Sequence, residues 1–137
     1  MIPVPSISGE IEYKKLHKLL KKELKSPMMY LVDQKYQLIT KDEMQRFLGY
    51  DKTDLIKYVP EYHDCDDFSF RLMGQFSVPE WSGIAFGIAF SKVHAFNVFS
   101  DGREVFIIEP QSDDVWTIKE VPAKYKKYFL PVKVLIM

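Results

Sequence analysis

The sequence predicts an α+β fold, and three observations carry that prediction. Helical periodicity fills the first half of the chain, β-forming runs fill the second, and an Asp101-Gly102 hairpin signal lies among those runs. The chain has 137 residues, 47% of them apolar and 15% aromatic, which suits one packed core rather than two. We therefore expect a single domain over residues 1–137, with a helical N-terminal portion at 1–50 and a core at 55–137.

Each element has its own signal. Ser8 is placed to cap a helix from Gly9 to Lys25, with Glu10 and Glu12 near its start and Lys21, Lys22 and Lys25 near its end, as the helix dipole favours. Tyr13, Leu16, Leu19, Leu20 and Leu24 follow the spacing of one apolar face. Pro27 ends it, and Met28 to Val32 reads as either a strand or an extended connector. Thr40-Lys41-Asp42-Glu43 is a capping box for a second helix that runs to Gly49. Asp51 to Tyr58 reads as a short third helix ended by Pro60. A fourth covers Asp64 to Met73, with Asp64 as its cap and Gly74 as its stop.

Beyond Gly83 the period changes. Gly83 to Phe90 is a buried strand with small residues for close neighbours. Val93 to Ser100 and Arg103 to Pro110 flank Asp101-Gly102, and strands at Val115 to Ile118 and Val132 to Ile136 complete an antiparallel sheet. Lys124, Lys126 and Lys127 read as a surface loop.

Composition narrows the function. Lys plus Arg and Asp plus Glu both total 19, so the basic excess of a nucleic-acid binder is missing. One cysteine excludes an intrachain disulfide and a multi-cysteine zinc site. The first residues lack the basic and apolar regions of a signal peptide, and the longest apolar run, Ile84 to Phe90, is too short to span a bilayer. The expectation is a soluble protein with neither nucleic acid nor membrane among its partners; its oligomeric state stays open.

The chemistry-bearing residues converge on Cys65. At the first position of a helix its thiol meets unpaired N–H groups and the positive dipole end, which favour thiolate, while Asp64, Asp66 and Asp67 oppose a further anion. A two-residue loop at Asp101-Gly102 pairs Ser100 with Arg103 and, counting outward, His94 with Glu109. A carboxylate there orients the imidazole and fixes its tautomer. A thiol, a base and an orienting acid are the parts of a cysteine nucleophile, in the chain order of papain-like enzymes. The bland reading of the same residues is a small buried hydrophobe and a structural His–Glu pair.

Asp64-Cys65-Asp66-Asp67-Phe68, His94-Ala95-Phe96-Asn97 and Ile108-Glu109-Pro110-Gln111 together resemble the agglutinin C-terminal domain family over about residues 55–120. That family comprises the papain-like, calcium-dependent cysteine protease domain of a mushroom chimerolectin and small related proteins, many of them phage-encoded. The resemblance implies a papain-like fold with 55–137 as catalytic core, and Cys65 as nucleophile, His94 as base and Glu109 as orienting acid. It also implies calcium held by Asp66 and Asp67 with Gln111 beside them, a peptide or protein substrate, and a place in a host-cell cytoplasm or on a phage.

One departure stands out. Papain relatives draw an oxyanion donor from a Gln upstream of the cysteine, whereas residues 58–63 here read Tyr-Val-Pro-Glu-Tyr-His. The Cys65 N–H, Tyr62, His63 and the Tyr58 hydroxyl remain as alternatives. Trp81 and Trp116 are candidates for a substrate cleft, although core packing is the commoner fate of tryptophan. Asn97 falls on the strand face away from His94. Two functions follow: a cysteine hydrolase using Cys65, His94 and Glu109, or a silent phage-type accessory or binding module that keeps the acidic cluster as a structural element.

Overall fold

A computed structural model describes residues 2–137. In chain order the elements are β1 (Gly9–Glu12), α1 (Tyr13–Glu23), β2 (Met28–Tyr30), β3 (Lys35–Leu38) and α2 (Lys41–Tyr50). A short 3-10 turn, Thr53–Leu55, leads to α3 (Cys65–Phe76). Then come β4 (Phe86–Phe90), β5 (Ala95–Ser100), β6 (Val105–Glu109), β7 (Asp114–Thr117), a 3-10 turn at Ala123–Tyr125, α4 (Lys126–Phe129) and β8 (Val134–Ile136). The fold is α+β. Among the described residues no helix is long and apolar enough to cross a membrane.

Six strands form one sheet in the order β2-β8-β4-β5-β6-β7, and β1 pairs with β3 in a second. The sheet is mixed, because β2 runs parallel to β8, whereas the sequence suggested an all-antiparallel one. Every residue of β5 is buried. Phe96 and Val98 face a core shared with Leu16 and Leu20 of α1 and with Leu24 just past its end. Phe99, on the opposite face, joins Phe47 of α2 and Leu72 and Phe76 of α3. Covering both faces is what turns these strands into continuous apolar runs.

Several expected elements change under tertiary pressure. Gly9 to Glu12 is a strand rather than the start of the first helix, since it finds a partner in β3 and the Ser8 N–H bonds to Leu38 O at 2.8 Å. The helix expected at Asp51 to Tyr58 is only the Thr53–Leu55 turn. Helix α3 passes through Gly74 because Leu72 and Phe76 bury themselves on the sheet, and that packing outweighs a glycine's weak propensity. The lysines at 124–127 belong to a 3-10 turn and α4.

The β5–β6 hairpin has a loop of four residues rather than two. Ser100 pairs with Val105, Val98 with Ile107 and Asn97 with Ile108. The Asp101 carboxylate closes the loop by accepting from the N–H groups of Arg103 (2.9 Å) and Glu104 (2.8 Å), and Gly102 takes a φ of 91°. The register therefore moves by two residues from the expected one. An even shift keeps every side chain on its face, so Glu109 still shares a face with His94, diagonally rather than directly opposite.

The N-terminal segment is fastened to α2 through Glu43. Its buried carboxylate accepts from the Arg46 guanidinium and the Ser6 N–H, while Arg46 also donates to Val4 O at 3.0 Å. These bonds, the Arg46 one foremost, hold the Glu43 carboxyl down at about 2. A depressed carboxyl contributes stability that is complete above its unfolded value and disappears as pH falls toward the folded one. Glu43→Gln is expected to lower unfolding free energy at pH 7 by about 1–3 kcal/mol. In urea titrations the gap between variant and parent should close between pH 4.5 and about 2; a gap independent of pH would contradict the assignment.

Candidate functional site

His94 sits where the chain turns into β5, and local hydrogen bonds fix the turn. The Ser91 N–H donates to His94 O at 2.9 Å, and Ser91 Oγ accepts from the His94 N–H at 3.1 Å. The same hydroxyl donates to Tyr128 O, which ties α4 to this turn. The imidazole lies along Phe96, with ring centroids 5.9 Å apart, and meets the edge of Phe129 at 5.3 Å.

Nε2 of His94 is 2.6 Å from Glu109 Oε2. An ionised carboxylate only accepts, so Nε2 carries the proton and Nδ1 is left as the ring's acceptor. The other Glu109 oxygen takes the Gln111 N–H at 3.1 Å. The expected His–Glu contact is formed, on a diagonal that Glu's length spans.

Cys65 opens α3, half-buried, on the residue next to His94. Burial pushes its thiol up and the charges of Asp64 and Asp66 add to this, while the Ala95 backbone N–H pulls the other way. That N–H places the sulfur at the first residue of β5. Among the described residues no hydrogen bond joins the sulfur to the His94 ring. The conflict between helix terminus and carboxylates thus resolves toward neutral thiol.

Asp64, Asp66 and Asp67 each direct a carboxylate oxygen to within 4.8 Å of the others. Asp67 accepts from the Asp64 N–H at 3.2 Å, and the Asp66 carboxyl beside it raises that of Asp64. This is an all-oxygen donor set, the kind a hard cation takes.

Asn97 is the bolt beneath the cysteine. It is fully buried, and its Nδ2 donates to Ser69 O at 3.1 Å and Gly87 O at 3.2 Å, joining α3 to β4 across β5. It faces away from His94, as expected, and positions the helix that carries Cys65.

A cavity of about 530 Å³ opens beside the His–Glu pair, walled by Trp116, Tyr125, Tyr128 and Phe129. Trp116 belongs to it. Trp81 does not: it is 1% exposed, packs on Phe47 and Phe76, and donates to Pro3 O at 2.6 Å. Its place in a substrate cleft is corrected by that core position. Tyr62 is 86% exposed, in the turn between Val59 and His63. Tyr58 is 48% exposed; partial desolvation and then the charges of Asp64 and Cys65 raise its hydroxyl. The aromatic wall of the α4 segment escaped sequence reasoning, although the Tyr125-x-x-Tyr128-Phe129 spacing within the lysines was its signal.

No family model matches the sequence, and no curated protein matches it. Solved structures do. One is a complex of PSL1a with E64, at a TM-score of 0.73 and 19% identity, covering 93% of this chain and 51% of the other. Another is Polyporus squamosus lectin bound to the human-type influenza-binding epitope Neu5Aca2-6Galb1-4GlcNAc, at 0.72 and 18%, covering 93% and 49%. The likeness is one of fold, and this chain spans about half the length of each.

If Asn97 holds α3 on the sheet, Asn97→Ala should cost about 1–3 kcal/mol, because two buried carbonyls lose their donor. Urea denaturation measures the loss, and a variant as stable as the parent would remove Asn97 from this role.

Proposed function

We propose that the chain is a cysteine hydrolase acting on peptide or isopeptide bonds. One observation carries the reading: the Glu109-anchored His94 ring stands beside the strand residue whose N–H reaches the Cys65 sulfur. In the reaction the Cys65 thiol gives its proton to His94 Nδ1 and the sulfur attacks the substrate carbonyl. The resulting imidazolium, held by Glu109, returns the proton to the leaving amine, and water then hydrolyses the acyl-thioester through the same base. The Cys65 N–H at the helix start and the Tyr58 hydroxyl are the donors this reading assigns to the oxyanion.

The papain-like assignment and the calcium requirement belong to the same proposal. Asp64, Asp66 and Asp67 would hold the ion, with Gln111 as a further oxygen donor. Bound there, a divalent cation offsets the carboxylate charge surrounding the sulfur. Added calcium should raise the melting temperature, and Asp66→Asn with Asp67→Asn should abolish most of that rise. Equal melting curves with calcium and with EGTA would remove calcium from the reading.

A second reading is favoured by a specific observation. The aromatic-walled cavity offers stacking faces of the kind sugars use, and one fold neighbour is a lectin with a glycan bound. That likeness supports a binding module more directly than it supports hydrolysis.

The two readings part at Cys65. A hydrolase should be alkylated at Cys65 by iodoacetamide, or by the epoxide E64, far faster than a free thiol model at neutral pH in calcium, and His94→Ala should slow alkylation at least about tenfold. Cys65→Ala should fold normally and lose all hydrolysis of a casein or ubiquitin-fusion substrate. Slow alkylation that ignores His94, together with calorimetric heat from Neu5Aca2-6Galb1-4GlcNAc, would favour the binding module.

A further inference from the structure

The cavity beside the His94–Glu109 pair has a charge character that hydrolysis alone leaves unused. In the β6–β7 ladder Asp114 stands directly opposite Glu109, so the two carboxylates share a face. Trp116, two residues on, lies on the same face, and its ring meets that of Phe129 with centroids 5.9 Å apart. Tyr125 and Tyr128 close the wall from the α4 segment. The enclosed space, about 530 Å³, is of the size that ligand clefts have.

The lining carries two carboxylates and neither lysine nor arginine. Glu109 is committed, since its oxygens hold His94 Nε2 at 2.6 Å and the Gln111 N–H at 3.1 Å. Asp114 is not. Its Oδ2 accepts from Ser112 Oγ at 2.7 Å, and among the described residues no lysine, arginine or histidine pairs with it. The tyrosine rings already draw ammonium groups. Lys124 Nζ lies over the Tyr125 ring at 4.9 Å from its centroid, and Lys127 Nζ over that of Tyr128 at 5.3 Å. A carboxylate without a counter-charge, set among electron-rich ring faces, is a setting for a cation. An anionic ligand would meet two negative charges in the lining and no lysine or arginine.

We propose that this cavity receives a lysine or arginine side chain of the peptide substrate, next to the bond that is cut, and that Asp114 sets this preference. The inference rests on the peptide-hydrolase reading of Cys65, His94 and Glu109, because His94 forms one side of the cavity. The aliphatic stem packs along Trp116 and Phe129, and the charged head reaches Asp114 with Tyr125 and Tyr128 flanking it. Aromatic walls keep water from the head, so the carboxylate counts for more than one in an open surface ion pair. Arginine gains more than lysine, because its planar guanidinium stacks on a ring while it pairs with the carboxylate.

The test uses the full chain carrying Cys65→Ala, so that binding is read without cleavage. Calorimetry compares the capped pentapeptide Gly-Gly-Arg-Gly-Gly with the same peptide bearing citrulline, which keeps arginine's shape and loses its charge. The arginine peptide should bind at least about tenfold more tightly. Adding Asp114→Asn should bring the two within about threefold, because an amide keeps the Ser112 bond but not the charge. Tyr125→Leu, at an exposed position, should weaken the arginine peptide by about threefold or more. Equal affinity for the two peptides, a preference untouched by Asp114→Asn, or no heat from either at about 5 mM would overturn the inference. The hydrolase reading fails separately, in the chain with Cys65 intact, through slow alkylation that ignores His94. Charge-dependent peptide binding through Asp114 would survive that failure.

Discussion

Strand β5 must be covered on both faces, and the rest of the molecule follows from that requirement. Its residues are all buried, so α1 has to lie over Phe96 and Val98 while α2 and α3 lie over Phe99. A helix laid across the second face brings its N-terminus to one end of the strand, and Cys65 is the residue at that terminus. Asn97 is the polar exception on the covered face. Its amide uses the burial, reaching one carbonyl of α3 and one of β4, and so fixes the height and rotation of the helix above the sheet. The thiol's position is in this sense a consequence of core packing.

What the sequence made legible was mostly face, and what it concealed was mostly partner. Alternation along the strands assigned His94 and Glu109 to one face without any knowledge of the loop, and an even change of register could not undo it. The loop length itself was misread, because Asp-Gly signals a two-residue turn only if the aspartate side chain stays out of the hydrogen bonding. Here Asp101 caps two N–H groups of a wider loop. Gly9 to Glu12 read as helix because nothing in those residues announces β3, 26 residues later. Trp81 was ambiguous for the same reason: whether it lines a cleft or fills a core depends on Phe47 and Phe76, which only the fold supplies.

Acidic residues are the second theme of the site. Asp64, Asp66 and Asp67 surround the start of α3, where they favour the dipole yet crowd one another and the sulfur. In the β6–β7 turn burial pushes the Asp113 carboxyl up to about 7, with Asp54 and Asp51 adding to it. The first group leads into α3, and Asp113 follows Glu109 in the chain. A chain with no net charge has thus concentrated negative charge near its candidate nucleophile.

That concentration decides what a functional state would need. Thiolate chemistry at Cys65 has the Ala95 N–H and the helix terminus in its favour, and burial together with two carboxylates against it. An imidazole base can take up the proton but leaves the carboxylates in place, so the balance turns on whether their charge is offset. A cation at Asp64, Asp66 and Asp67 would do this where the Asp67 carboxylate already holds the Asp64 N–H. Without such charge compensation, the same scaffold is a rigid surface with an aromatic-walled cavity, suited to holding a ligand rather than cutting one. The carboxylates beside Cys65 are therefore the groups on which the two proposed functions part.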